Sequence, residues 1–210
     1  MKYLAIDPSF SRTGIAILDT ETRSIKLKPV SPVGTNDSYT NTVERSAYII
    51  AEVLKEFKVS DNISVIIEEP MVRSLKASAL GILSGVSVTT LLLLPIIKEI
   101  RTVNPITIKS LNSVLPYKNK LPKKQLSLHV AEELIEFYKS IGHTVELVPL
   151  KYNKNGSPRS RALTHDEAES LILLTVLLLD RGYFKDMETL SIYQINKGFL
   201  TKKIIVNKLK

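Results

Sequence analysis

Residues 2–7 are a short apolar run that ends in a single carboxylate, Asp7. The chain then turns through Pro8-Ser9, and Thr13-Gly14 opens a second apolar run reaching Leu18. This pattern predicts two strands of a hairpin with an acid at one strand's tip. A lone strand-end Asp is satisfied by bonding the N–H groups of its turn. A carboxylate that is also buried needs donors or a cation, since leaving it isolated costs several kcal/mol.

A second strand with the same ending lies further on. Ile63 to Ile67 is continuous in Ile, Val and Ser, as interior strands are, and runs into Glu68-Glu69-Pro70. Between the two, Ser24 to Val30 alternates as a third strand, placed at a sheet edge by its prolines. From Asn41 to Phe57, Val43, Ala47, Ile50, Ala51, Leu54 and Phe57 recur with a helical period. An apolar helix from about Val72 leads to a strand at Glu99 to Val103, stopped by Asn104-Pro105. A helix is expected from Lys123 to Ser140, a small strand at Thr144 to Val148 and a basic loop from Lys151 to Arg161. A last helix runs to about Leu179, with Thr164 as N-cap and Glu167 completing a capping box. A hairpin is expected around Lys197-Gly198. The order describes an α/β chain in which a meander is joined to parallel strands by helical crossovers.

Residues 77–97 carry no charge and meet the length of a membrane span. Gly81, Ser84, Gly85, Ser87, Thr89, Thr90 and Pro95 interrupt the run, and strand-like segments flank it, so it reads as a helix buried in the domain or at a dimer interface. Gly81, Ser84 and Gly85 are the expected dimer seam.

Of the 210 residues, Lys and Arg exceed Asp and Glu to give a formal charge of +8. The excess is concentrated: Ile100 to Ala131 holds six Lys or Arg and no acid, and Leu147 to His165 holds four and no acid. A polyanionic partner is expected. There is no cysteine, which excludes disulfides, a thiolate nucleophile and a Cys-based zinc site. Any metal is then held by oxygen or imidazole. The chain opens on a strand pattern without a leader of basic then apolar residues, so a cytoplasmic protein with no signal peptide or membrane helix is expected.

Asp166 and Glu169 are spaced i, i+3 and share one helix face. If that face lies over the strands, Asp7, Glu68, Asp166 and Glu169 converge from three remote segments. Four anions so close make sense chiefly when hard cations neutralise them, and all-oxygen ligands suit Mg²⁺ or Mn²⁺. Two such ions about 4 Å apart clamp a phosphodiester during hydrolysis. Glu68 is preferred over Glu69 because it directly follows the apolar run.

Taken together, Ile6-Asp7-Pro8 with Thr13-Gly14, then Ile67-Glu68-Glu69, Lys109, Lys124-Gln125 and Asp166-x-x-Glu169-Ser170-Leu171 resemble RuvC-type Holliday junction resolvases of the ribonuclease H-like superfamily. The likeness spans about residues 3–180. It implies an α/β ribonuclease H-like mixed sheet, an antiparallel meander plus parallel strands, flanked by helices. It also implies a homodimeric endonuclease that uses two Mg²⁺ or Mn²⁺ per site to nick four-way DNA junctions symmetrically. By position Asp7, Glu68, Asp166 and Glu169 match the family's acidic tetrad. Ser11, Arg12, Lys109, Lys118, Lys120, Lys123, Lys124, Arg159 and Arg161 are the candidate DNA contacts. Residues 1–182 form the expected nuclease domain, with 183–210 a basic extension packed on it.

The chain departs from the family in having Ser9 where Gly is usual, Glu169 where Asp is common, and no Gly-rich stretch between its family lysines. These departures suggest a divergent, phage or viral member. Rival readings are a less selective branch or flap nuclease, a catalytically inactive nucleic-acid-binding domain and an actin-like ATPase. The last needs a second Asp-Gly phosphate loop, and the chain contains no Asp-Gly pair.

Overall fold

The computed structural model describes residues 1–9, 12–31, 42–69, 77–103, 122–151, 153, 156–157, 159–184 and 206–208. The side chains of 77–83, 123, 124 and 206–208 lie outside that description. In chain order the elements are β1 (Lys2–Asp7), β2 (Thr13–Asp19), β3 (Ser24–Val30), α1 (Thr42–Leu54), β4 (Ile63–Glu68), α2 (Ala77–Leu92), β5 (Ile97–Val103), α3 (Lys123–Ser140), β6 (Thr144–Leu147), α4 (His165–Asp180) and β7 (Val206–Lys208). They build one sheet of order β6-β3-β2-β1-β4-β5-β7. β1, β2 and β3 form an antiparallel meander, while β4 runs parallel to β1 and β5 parallel to β4. This is the expected meander plus parallel strands.

Alternation along the pleat divides the strand side chains between two cores. Tyr3, Ala5, Ala16, Leu18, Ile25, Leu27, Ile66 and Val103 pack with residues of α3 and α4. Leu4, Ile6, Ile15, Ile17, Val65, Ile67 and Ile100 pack on the other face with Ile49, Ile50 and Val53 of α1 and Leu91 of α2. β1 and β4 are covered on both faces, which is why each reads as an unbroken apolar run.

α4 is buried almost all round from Leu171 to Leu178. A helix this apolar must lie between layers. It sits between the sheet and α3, where the Tyr138 hydroxyl meets Thr175 Oγ1 at 2.9 Å. At the far end of α4, buried Glu99 accepts from Arg101 Nη2 at 2.8 Å and Ser64 Oγ at 2.9 Å and pairs with Arg181 at 3.3 Å, while Arg101 also pairs with Asp180. Burial alone would raise the Glu99 carboxyl, but these bonds and the two guanidinium charges hold it below its usual range. This network ties the end of α4 to β4 and β5.

Several boundaries differ from those expected. β3 is not an edge strand, because β6 pairs with it in parallel. That pairing covers only Ser24 to Leu27, so Pro29 lies past the end of β6 and needs to donate nothing there. α1 stops at Leu54, short of Phe57, and β5 begins at Ile97, two residues before Glu99. The apolar run of 77–97 is a helix only to Leu92, and no described helix is long and apolar enough to cross a membrane. Tyr183 and Phe184 join the aromatic packing around Tyr138, and β7 pairs antiparallel with β5. The expected hairpin at Lys197-Gly198 lies outside the described residues.

Candidate active site

The parallel register of β1 and β4 sets Ile6 opposite Ile67, so the next residues, Asp7 and Glu68, emerge side by side at the carboxyl ends of two adjacent strands. The pleat gives both the same direction: Asp7 follows Tyr3 and Ala5, and Glu68 follows Ile66, all on the α4 face. Glu69, one residue on, belongs to the opposite face, where it accepts from Thr102 Oγ1 at 2.6 Å.

On the other side of β1, Asp7 is registered with Gly14. A methyl group built on Gly14 would land on the carbonyl of Asp166, with the Glu167 nitrogen only 3.2 Å away. The bare backbone of Gly14 therefore lets the start of α4 descend onto the hairpin beside Asp7. An isolated Gly inside a strand pattern is a signal of such an approach. The turn itself is closed by Thr13, whose Oγ1 donates to the Ser9 carbonyl at 3.2 Å and accepts from its N–H at 3.3 Å. Ser9 lies outside the left-handed region, which among the described non-glycine residues only Arg23 occupies, so glycine is not needed there.

α4 begins at a complete capping box: Thr164 Oγ1 accepts from the Glu167 N–H at 3.4 Å and Glu167 accepts from the Thr164 N–H at 3.0 Å. With cap duties met by those two, Asp166 and Glu169 are directed elsewhere. Asp7 is only 5% exposed. Burial, then the charge of Glu68 and a hydrogen bond shared with it, then the charges of Glu169 and Asp166, push the Asp7 carboxyl well above its ordinary value. The two carboxyls thus compete for the charged form, as closely spaced acids do, and Asp7, the more buried, is the one whose ionisation is disfavoured. The outer two acids have basic side chains beside them: Arg12 Nε lies 2.9 Å from Asp166, and His165 Nε2 lies 3.4 Å from Glu169.

The donor set is all carboxylate, which fits a hard divalent cation such as Mg²⁺ or Mn²⁺. The mutual repulsion of Asp7 and Glu68 marks where positive charge would be stabilised. Among the described residues no three carboxylate or imidazole side chains are drawn together as a ready ligand shell. Arg12 and His165 engage the two on α4 instead.

The expected DNA contacts are distributed unevenly. Arg12 stands at the site, 45% exposed. Arg159 is exposed and donates to Asn153 Oδ1 at 3.0 Å. Arg161 is turned inward onto Glu167, a pairing that the sequence did not indicate. Lys123 and Lys124 open α3, their side chains outside the description, and Ser11, Lys109, Lys118 and Lys120 lie outside the described residues.

No family model and no curated protein matches the chain. Solved structures similar to it include T. thermophilus RuvC in complex with Holliday junction substrate, at 18% identity over 86% of this chain and 95% of that one, with a TM-score of 0.48. The large terminase nuclease from thermophilic phage G20c is 11% identical over 84% and 81%, with a TM-score of 0.39. The human cytomegalovirus terminase nuclease domain, Mn-soaked and inhibitor-bound, is 13% identical over 84% and 81%, with a TM-score of 0.42. From its own strand order, the chain is a mixed α/β sheet of an antiparallel meander and parallel strands with helices on both faces, and Asp7 and Glu68 stand side by side where its two central parallel strands end.

Proposed function

We propose that this chain is a metal-dependent endonuclease that resolves four-way DNA junctions by paired phosphodiester hydrolysis as a homodimer. The observation that carries the nuclease reading is the buried Asp7 carboxyl set beside half-buried Glu68, under the charges of Asp166 and Glu169. A cluster of this kind is unfavourable for a fold to keep unless it holds cations. The four-way junction as substrate rests on the sequence likeness described above.

Asp7, Glu68, Asp166 and Glu169 are the residues that would hold two Mg²⁺ or Mn²⁺ ions. Bound there, such ions supply Lewis-acid stabilisation of the phosphate charge and acidify the attacking water. The water oxygen bonds to phosphorus in line as the bond to the 3′ oxygen breaks, leaving 5′-phosphate and 3′-hydroxyl ends. Arg12, on the rim beside Asp166, contacts the scissile strand, and the lysines and Arg159 hold the flanking backbone.

The pleat argument separates the two adjacent glutamates. Glu68→Gln is expected to remove Mg²⁺-dependent cleavage, whereas Glu69→Gln, whose amide oxygen can still accept from Thr102, is expected to stay within a few-fold of the parent. Single-turnover rates on a labelled junction check both, and equal loss in the two variants would contradict the assignment. A less selective nuclease acting on branches or flaps uses the same site. Cleavage rates on four-way, three-way and linear DNA in Mg²⁺ separate the readings: strong preference for the four-way substrate supports resolution, and equal rates reject it.

A further inference from the structure

The guanidinium of Arg161 is fully used inside the protein. Its Nη1 and Nη2 donate to the two oxygens of Glu167 at 2.7 and 2.5 Å. Its Nε donates to the Val148 carbonyl at 2.9 Å, and weaker bonds reach the carbonyls of Leu27 and Ala162 at 3.4 and 3.3 Å. These contacts match the five N–H donors of the side chain. The side chain of Arg161 is 14% exposed and that of Glu167 is 0% exposed. Glu167 is also the capping-box residue of α4 and bonds the Thr164 hydroxyl at 2.9 Å. One cation therefore joins β3, the segment after β6 and the first turn of α4, at the residue that follows Asp166 and lies two before Glu169.

We propose that Arg161 is a positioning residue for the active site and makes no contact with DNA. The fork holds Glu167, Glu167 holds the cap, and the cap fixes the height and rotation at which α4 presents Asp166 and Glu169 over Asp7 and Glu68. Gly14 sets how closely that turn descends, and Arg161 holds it there. A lysine keeps the charge but cannot reproduce a planar, bidentate fork. The consequence for turnover rests on the endonuclease reading, whereas the pinning of α4 does not.

The test compares full-length Arg161→Lys with the parent protein. Expected results are unchanged junction affinity and salt dependence in EDTA, and faster amide exchange at Glu167 and Ala168. In Mg²⁺, kcat is expected to fall about ten- to a hundredfold at unchanged KM, as for catalytic groups misplaced by about an ångström. A DNA-contact role would instead weaken binding and reduce the salt slope by about one, and that result overturns the proposal. Unchanged exchange and turnover in the folded variant overturn it equally. Glu167→Gln, which keeps a capping oxygen but loses the charge, is expected to give the same pattern and serves if Arg161→Lys folds poorly. If the parent protein binds the junction but never cleaves it, while Arg161→Lys still speeds exchange, the endonuclease reading fails and the pinning of α4 stands.

Discussion

Asp7→Asn is expected to abolish Mg²⁺-dependent junction cleavage, to leave junction binding intact and to make the metal-free protein more stable at neutral pH. Loss of cleavage follows because Asp7 is the innermost of the four carboxylates, touching Glu68 and feeling the charges of Glu169 and Asp166. The gain in stability follows from the direction of its pKa. The folded protein holds the Asp7 proton to higher pH than the unfolded chain does, so the stabilisation is fully present below the unfolded pKa of about 4 and is lost as pH rises through the raised folded value. Asparagine has no proton to lose and can still donate to Glu68. In EDTA, the parent's thermal midpoint should fall as pH increases across that window, while the variant's curve is flatter and lies higher at its upper end. A variant that cleaves normally, or one that is less stable than the parent at neutral pH in EDTA, would count against the assignment.

Gly14→Ala is expected to be the most damaging single-methyl addition near the site. The new Cβ would collide with the Asp166 carbonyl, a backbone atom that cannot swing aside as the end of a side chain can. Either β2 or the start of α4 must shift, at a cost of about 1–3 kcal/mol or more for overpacking. The same shift lifts Asp166 and Glu169 from Asp7 and Glu68, so cleavage should be lost even at temperatures where the variant is folded. Urea unfolding and single-turnover cleavage on one preparation measure both effects. Parent-like turnover in Gly14→Ala would mean that the close approach does not set the site.

The parts of this arrangement that were legible in the sequence are those encoded locally. Apolar runs ending in Asp7 and Glu68 revealed two interior strands and their tips, because burial on both faces removes polar alternation. Thr164 and Glu167 revealed where α4 starts, because a capping box is a contact between residues three apart. Arg161 was not legible: it lies in an acid-free, basic stretch that reads as solvated surface, and only tertiary packing brings Val148, Leu27 and buried Glu167 around it. The place of β3 was misjudged for a related reason. A proline does argue for an unpaired edge, but at Pro29 alone, and β6 covers the strand up to Leu27. Gly14 was visible as part of a turn, yet its partner lies more than 150 residues away, so its role as the seat of α4 emerges only from the packing.

The most direct test is to incubate the full-length protein with a synthetic four-way junction in Mg²⁺ and, in parallel, in EDTA. The account predicts paired, symmetrical nicks with 5′-phosphate and 3′-hydroxyl ends in Mg²⁺, and binding without cleavage in EDTA. Tight binding with no cleavage in either Mg²⁺ or Mn²⁺ would contradict it.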